Sequence, residues 1–226
     1  MPANDDKFYA GHRERLRQKF LNGQSTESEL LETLLGYAIP RRDLRPLARA
    51  LLREFGNIPR VLTAPIETLE QFPGIGHNTA VFLKLVHEMT SMDYKFALGS
   101  KPVFHDPQLL YAFCKNLLMD KPIEEFHVLC LNKNYQLLAD QLHSTGTVNA
   151  SSAYPREIVH RALNVHARYI VLLHNHPSGD PAFSSQDVKL TEHVLDALRG
   201  LDMELYDHLL VTAGRIISMK ETLLLK

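Results

Sequence analysis

His174, His176 and Asp187 stand in the stretch HNHPSGDPAFSSQD, with one residue between the histidines and ten between His176 and the aspartate. That is ligand spacing for one catalytic metal ion. Residues i and i+2 of a strand project to the same face, so two imidazoles two apart converge on one ion where a strand ends. A carboxylate at the start of the next helix supplies a third ligand. Two imidazoles and a carboxylate suit Zn²⁺, and three protein ligands leave a fourth position for water, as in a catalytic rather than a structural site. The chemistry this implies is hydrolysis.

Neither half of the pattern is specific alone. HxH is common at strand ends, and SxxD, here Ser184 to Asp187, is also a capping box that simply opens a helix. Joined as HxHPx6SxxD they are far more specific, because the intervening ProSerGlyAsp forms a tight loop that folds the helix start back toward the strand end.

Recognisable elements must position these residues. ARYIVLLH is a nearly continuous apolar run, the pattern of a strand covered on both faces, and it delivers His174 at its C-terminal end. Ser184 and Asp187 open the helix DVKLTEHVLDALRG, which Gly200 stops. Upstream, EEFHVLCLN and YQLLADQLH read as strands joined by a turn at Asn132 to Asn134, an antiparallel hairpin. Pro155 begins a helix running to about His166, and MELYDHLLVT and RIISM, joined by AlaGly, close the chain as another hairpin. The expected fold class is α/β (α+β): a mixed sheet flanked by helices over residues 103–226, preceded by an all-helical domain over residues 1–95.

The helical domain rests on ESELLETLLGYA, ARALLREFG, APIETLEQF and HNTAVFLKLVHEM, whose apolar positions recur every three or four residues; no strand is expected before residue 100. Residues 91–107, SMDYKFALGSKPVFHDP, lose that period and hold two Pro and a Gly, which predicts an interdomain linker there. A helix, PQLLYAFCKNLL, opens the second domain.

Composition excludes several classes. The chain is 45% hydrophobic and 23% charged, ordinary for a globular protein, with no low-complexity tail. It lacks the apolar run of a signal peptide or a membrane span, so a cytoplasmic location and no membrane partner are expected. Cys114 and Cys130 have no neighbouring cysteine, which excludes a disulfide framework or a zinc knuckle. A net charge of −1 makes no global case for nucleic acid, although residues 41–60 carry six Arg against Asp43 and Glu54.

Two resemblances extend the reading. LEQFPGIGHNTAVFLKL places ProGlyIleGly between two amphipathic helices and resembles the helix-hairpin-helix of DNA-repair proteins. Backbone amides of Gly74 and Gly76 would bind a DNA phosphate, with Asn78, Thr79 and Lys84 in support. The same motif also serves as a packing or protein-binding hairpin.

HNHPSGD, with Ser184 and Asp187 at their distances, resembles the JAMM (MPN+) metalloprotease signature. Over nearly all 226 residues the chain is similar to the bacterial RadC proteins, especially in YPREIVHRALNVHARYIVLLHNHPSGD and DHLLV. That resemblance implies a helix-hairpin-helix segment ahead of a JAMM-type domain with cytidine-deaminase-like layering. It also implies a catalytic glutamate from an earlier strand, which maps to Glu124, with Phe126 matching and Asn132 replacing the usual Asp; the adjacent Glu125 stays an alternative. The implied mechanism has Zn²⁺ activate water, Glu124 carry the proton and Ser184 help stabilise the oxyanion while a peptide or isopeptide bond breaks. Asp207 and His208 are candidates to support the ligand histidines, and Asn175 points to the opposite face with no catalytic role. The expected partners are a protein or peptide substrate and, through the hairpin, DNA. The competing function is a DNA-binding accessory protein in repair or recombination, with a metal-dependent nuclease behind it.

Overall fold

The computed structural model describes residues 5–103, 106–119, 121–146 and 154–222. The chain divides into two compact units between Met89 and Thr90. Among the described residues no helix is long and apolar enough to cross a membrane.

The first unit is helical: α1 (Asp5–Leu21), α2 (Glu27–Ala38), α3 (Arg45–Phe55), α4 (Ile58–Thr63), α5 (Ile66–Gln71) and the first half of α6 (His77–Ser100). A capping box starts α2, where Thr26 and Glu29 satisfy each other's backbone amides. Leu31, Leu35, Leu47, Leu51, Val61, Leu69 and Leu83 close the core, at the spacings that made these helices legible.

The linker expected over residues 91–107 is instead helix as far as Ser100. Its polar stretch conceals a helical contact pattern: Tyr94 and Leu98, one turn apart, pack into the core of the second unit, and Ser91 Oγ accepts from Asn116 Nδ2 at 2.8 Å. Pro102, which disfavours helix in the residue before it, follows the end of α6.

The second unit is α+β. A five-stranded sheet runs in the order β2-β1-β3-β4-β5, built from β1 (Glu125–Leu131), β2 (Leu137–Thr145), β3 (Tyr169–Asn175), β4 (Glu204–Thr212) and β5 (Arg215–Ser218). β3 and β4 are parallel and every other pair is antiparallel. One face, with Phe126, Val128, Ile170 and Leu172, packs on α8 (Pro155–Asn164) and α9 (Ser185–Leu198). The other, with Leu129, Leu131, Val171 and Leu173, packs on α7 (Pro107–Leu118) and the end of α6. Helices on both faces explain why central β3 reads as an unbroken apolar run.

Candidate metal centre

β3 brings His174 to its C-terminal end, fully buried. The chain continues beyond β3 without leaving the sheet, since His176 N donates to Val211 O at 3.0 Å. A turn follows at Gly179, whose φ of +85° suits glycine. It lets the chain double back to Ser184, the N-cap of α9.

The three expected ligands meet there. His174 Nε2 lies 3.2 Å from His176 Nε2 and 3.5 Å from Asp187 Oδ1, and His176 Nε2 lies 3.8 Å from Asp187 Oδ2. One potential ligand atom from each falls within 4.8 Å of the others. Two nitrogens and a carboxylate oxygen around one point suit zinc rather than magnesium or calcium, which take oxygen ligands. The hydroxyl and backbone amide of Ser184 both donate to one oxygen of Asp187, and hydrogen bonds to the charged form favour the ionised carboxylate. An anion is thus maintained where a cation would sit.

Ser184 is more occupied than an oxyanion donor would be. Its hydroxyl donates to Asp187 Oδ2 at 2.7 Å, its backbone amide donates to the same oxygen at 2.7 Å, and Asp187 N donates back to Oγ at 3.2 Å. The capping box that starts the helix therefore also aims the carboxylate.

Strand alternation separates the two glutamates. Glu125 faces α7, where its carboxylate accepts from Lys121 Nζ at 3.0 Å and meets His127 Nε2 at 3.3 Å. Glu124, just ahead of β1, is half-buried; burial pushes its carboxyl up, and the titratable groups that act on it are His174, His176 and Asp187. Asn175 holds this segment in place from the strand that carries the ligands. Its Oδ1 accepts from Glu125 N at 2.8 Å and its Nδ2 donates to Ile123 O at 3.1 Å, one residue on either side of Glu124. As expected, Asn175 points away from His174, yet it is tied to the candidate base. Only the pairing of β1 with β3 could reveal that.

The two candidate supports separate. His208 Nε2 lies 2.9 Å from His174 Nδ1. Asp207 faces the other side of the sheet, accepting from Ser218 Oγ at 2.6 Å, Lys220 N at 3.1 Å and His208 N at 2.7 Å, and it touches neither ligand histidine. Strand alternation causes this, as it does for the two glutamates: His208 lies opposite Leu172 on the face of His174, and Asp207 lies opposite Val171 on the other.

In the first unit, Gly74 and Gly76 are exposed in the turn before α6, and Asn78 is exposed in its first turn. Two of the expected phosphate contacts are committed elsewhere. Thr79 is buried, and its backbone amide donates to Gly76 O at 2.9 Å. Lys84 Nζ donates to Leu62 O, Thr63 O and Ala64 O, each at 2.9 Å, closing the C-terminal end of α4. The cation beside the turn is Arg42, whose guanidinium nitrogens lie 3.4 Å from where a Gly74 Cβ would stand.

A mixed sheet between helices, with two imidazoles and a carboxylate where its central strand meets the following helix, defines a domain of the JAB (MPN) type. Residues 104–224 match the family described as RadC-like JAB domain. A UPF0758 protein of Rhodobacter capsulatus is 38% identical over 208 residues, covering 91% of this chain and 97% of that protein. The chain belongs to the RadC family.

Proposed function

We propose that this chain is a zinc-dependent hydrolase of JAMM type that cleaves a peptide or isopeptide bond. One observation carries the reading: a half-buried carboxyl, Glu124, shares its electrostatic surroundings with the cluster of His174, His176 and Asp187. When bound, Zn²⁺ supplies a Lewis acid that brings the pKa of a water toward neutrality. Glu124 takes the proton of that attacking water and returns it to the leaving amine, a task suited to a carboxyl raised above its usual range. His174, His176 and Asp187 hold the cation, while Ser184 keeps the Asp187 carboxylate aimed. For Ser184 to assist an oxyanion, its proton must swing away from Asp187.

Metal analysis of the purified protein is expected to give one zinc per chain, lost in His176→Ala. Glu124→Gln is expected to keep the zinc and retain uncleaved protein substrates that the unsubstituted protein releases as products. Zinc retained at full stoichiometry in His176→Ala refutes the ligand set, and unimpaired hydrolysis by Glu124→Gln refutes the base.

A second role rests on the exposed turn. We infer that amides at Gly74 and Gly76, with Asn78 and Arg42, engage DNA phosphates without reading sequence. Gly76→Asp places an anion in open space and is expected to abolish salt-sensitive binding to duplex DNA. Unchanged binding removes this role and leaves the hydrolase reading intact. Cytoplasmic action belongs to the same proposal, in keeping with two unpaired, buried cysteines.

A further inference from the structure

A chain of buried hydrogen bonds begins and ends on residues of the proposed metal centre. Thr191 Oγ1 lies 2.6 Å from the backbone oxygen of Asp187, one helical turn earlier, and 2.7 Å from His208 Nδ1. His208 Nε2 in turn lies 2.9 Å from His174 Nδ1. Thr191 is 2% exposed, and His174 and His208 are wholly buried, so bulk water does not compete for these bonds.

The protons of this chain have one order that leaves His174 able to bind a cation. A backbone carbonyl only accepts, so the Thr191 hydroxyl proton lies on the Asp187 side. The Thr191 oxygen then accepts from Nδ1–H of His208. Among the described residues, His208 meets a hydroxyl and another imidazole at its two nitrogens, between the rings of Phe126 and Phe183. As a neutral ring it has one N–H, already placed on Nδ1, so its Nε2 accepts from Nδ1–H of His174. His174 Nε2 is left bare, facing His176 and Asp187. The reversed order would put a proton on that nitrogen and close it to a metal.

His176 reaches the same state by a shorter route. Its Nδ1 lies 3.1 Å from Asp180 O, again a group that only accepts, so its Nε2 is also bare.

We infer that Thr191 and His208 are positioning residues that fix the tautomer of His174, so that both histidines meet the metal through Nε2. The order originates at the carbonyl of Asp187, so the residue that offers the carboxylate also polarises the opposing imidazole. This rests on the zinc reading for its consequence, not for the order of protons.

Thr191→Val removes the hydroxyl at nearly constant volume, whereas Thr191→Ser restores it. Zinc affinity measured by competition with a chromophoric chelator is expected to fall about 10–100-fold in Thr191→Val, and to return to within about threefold of the unsubstituted protein in Thr191→Ser. Equal affinity in Thr191→Val overturns the inference, as does a failure of Thr191→Ser to restore it. Long-range ¹H–¹⁵N spectra of the unsubstituted protein give an independent test, with protons expected on Nδ1 of His174 and of His208. A proton on His174 Nε2 in the zinc-free protein overturns the inference. If the unsubstituted protein takes up no zinc the hydrolase reading fails, while the same spectra still decide the proton order.

Discussion

Asn175→Ala tests whether the candidate base is held by the strand that carries the ligands. The substitution removes the two hydrogen bonds at 2.8 and 3.1 Å that fix the segment on either side of Glu124. It leaves an amide at Glu125 and a carbonyl at Ile123 without those partners, at about 1–3 kcal/mol for each unsatisfied group, or roughly 2–6 kcal/mol together. At about 2–4 °C per kcal/mol in a chain of this size, calorimetric melting of the second unit is expected about 4–24 °C lower. The ligand atoms lie on the other face of the sheet, so zinc content is expected to stay at one per chain. Hydrolysis is expected to fall because Glu124 loses its fixed position. Asn175→Asp keeps the acceptor for Glu125 N but loses the donor to Ile123 O, and is expected to fall between the two. A melting shift below about 2 °C, or full hydrolysis with an intact zinc site, would refute the clamp.

Lys84→Met removes a cation from three carbonyls and is expected to destabilise the first unit by about 1.5–3 kcal/mol, while the salt dependence of DNA binding stays unchanged. A lower salt slope with unchanged stability would instead make Lys84 a phosphate contact. Gly74→Ala forces an L side chain to φ +99° and is expected to cost about 1–2 kcal/mol in chemical denaturation, whereas Gly76→Ala, in open space, is expected to be nearly neutral. For His127, burial lowers the pKa but bonds to Asp140 and Glu125 outweigh it, so the net shift is upward from 6.5. For Asp140 and Glu125 burial raises the pKa, but the bonds to His127 and lysine prevail and the net shifts are downward from 3.8 and 4.5. Stability from the raised His127 is complete below pH 6.5 and is lost as pH rises through its folded pKa; that from the carboxylates is complete above pH 4.5 and is lost on acidification. As pH rises above 6.5 the unsubstituted protein is therefore expected to lose more stability than His127→Gln does. Parallel pH curves for the two would refute this.

The residues that were legible in the sequence owe this to periodicity and local spacing. The apolar run ending at His174, the helix start at Ser184 and the two hairpins each depend on neighbours within a few residues, and they appear in the structure where those patterns place them. What stayed hidden depends on partners far along the chain. Lys84 reads as a phosphate contact in the sequence because nothing local shows that the end of α4, some 20 residues earlier, lies against it. Asp207 and His208 are neighbours on β4 and so face opposite sides, but which of the two shares the face of His174 is set by the pairing of β4 with β3. The helical pattern over Tyr94 and Leu98 was too sparse to outweigh the polar residues around it, and only burial in the second unit's core shows its purpose. Thr191 had a local signal, one turn after a candidate ligand, but no local reason to be preferred over an ordinary helix threonine.

The alternation of side chains along β3 gives HisAsnHis a meaning beyond ligand spacing. His174 meets the cation cluster, Phe126 and His208 on one face, while Asn175 fixes the residues beside Glu124 from the other. Both tasks depend on β1 pairing with β3 so that Phe126 lies opposite His174. A slip of one residue in that pairing would exchange the faces, sending the imidazole toward α7 and the amide toward the cluster. The ligand and the clamp would fail together. The register here is secured by apolar residues on both faces, Leu172 on one and Val171 and Leu173 on the other, which a slip would also misplace. The two-sided burial that makes β3 a continuous apolar run therefore sets the position of a candidate base that lies almost fifty residues away in sequence.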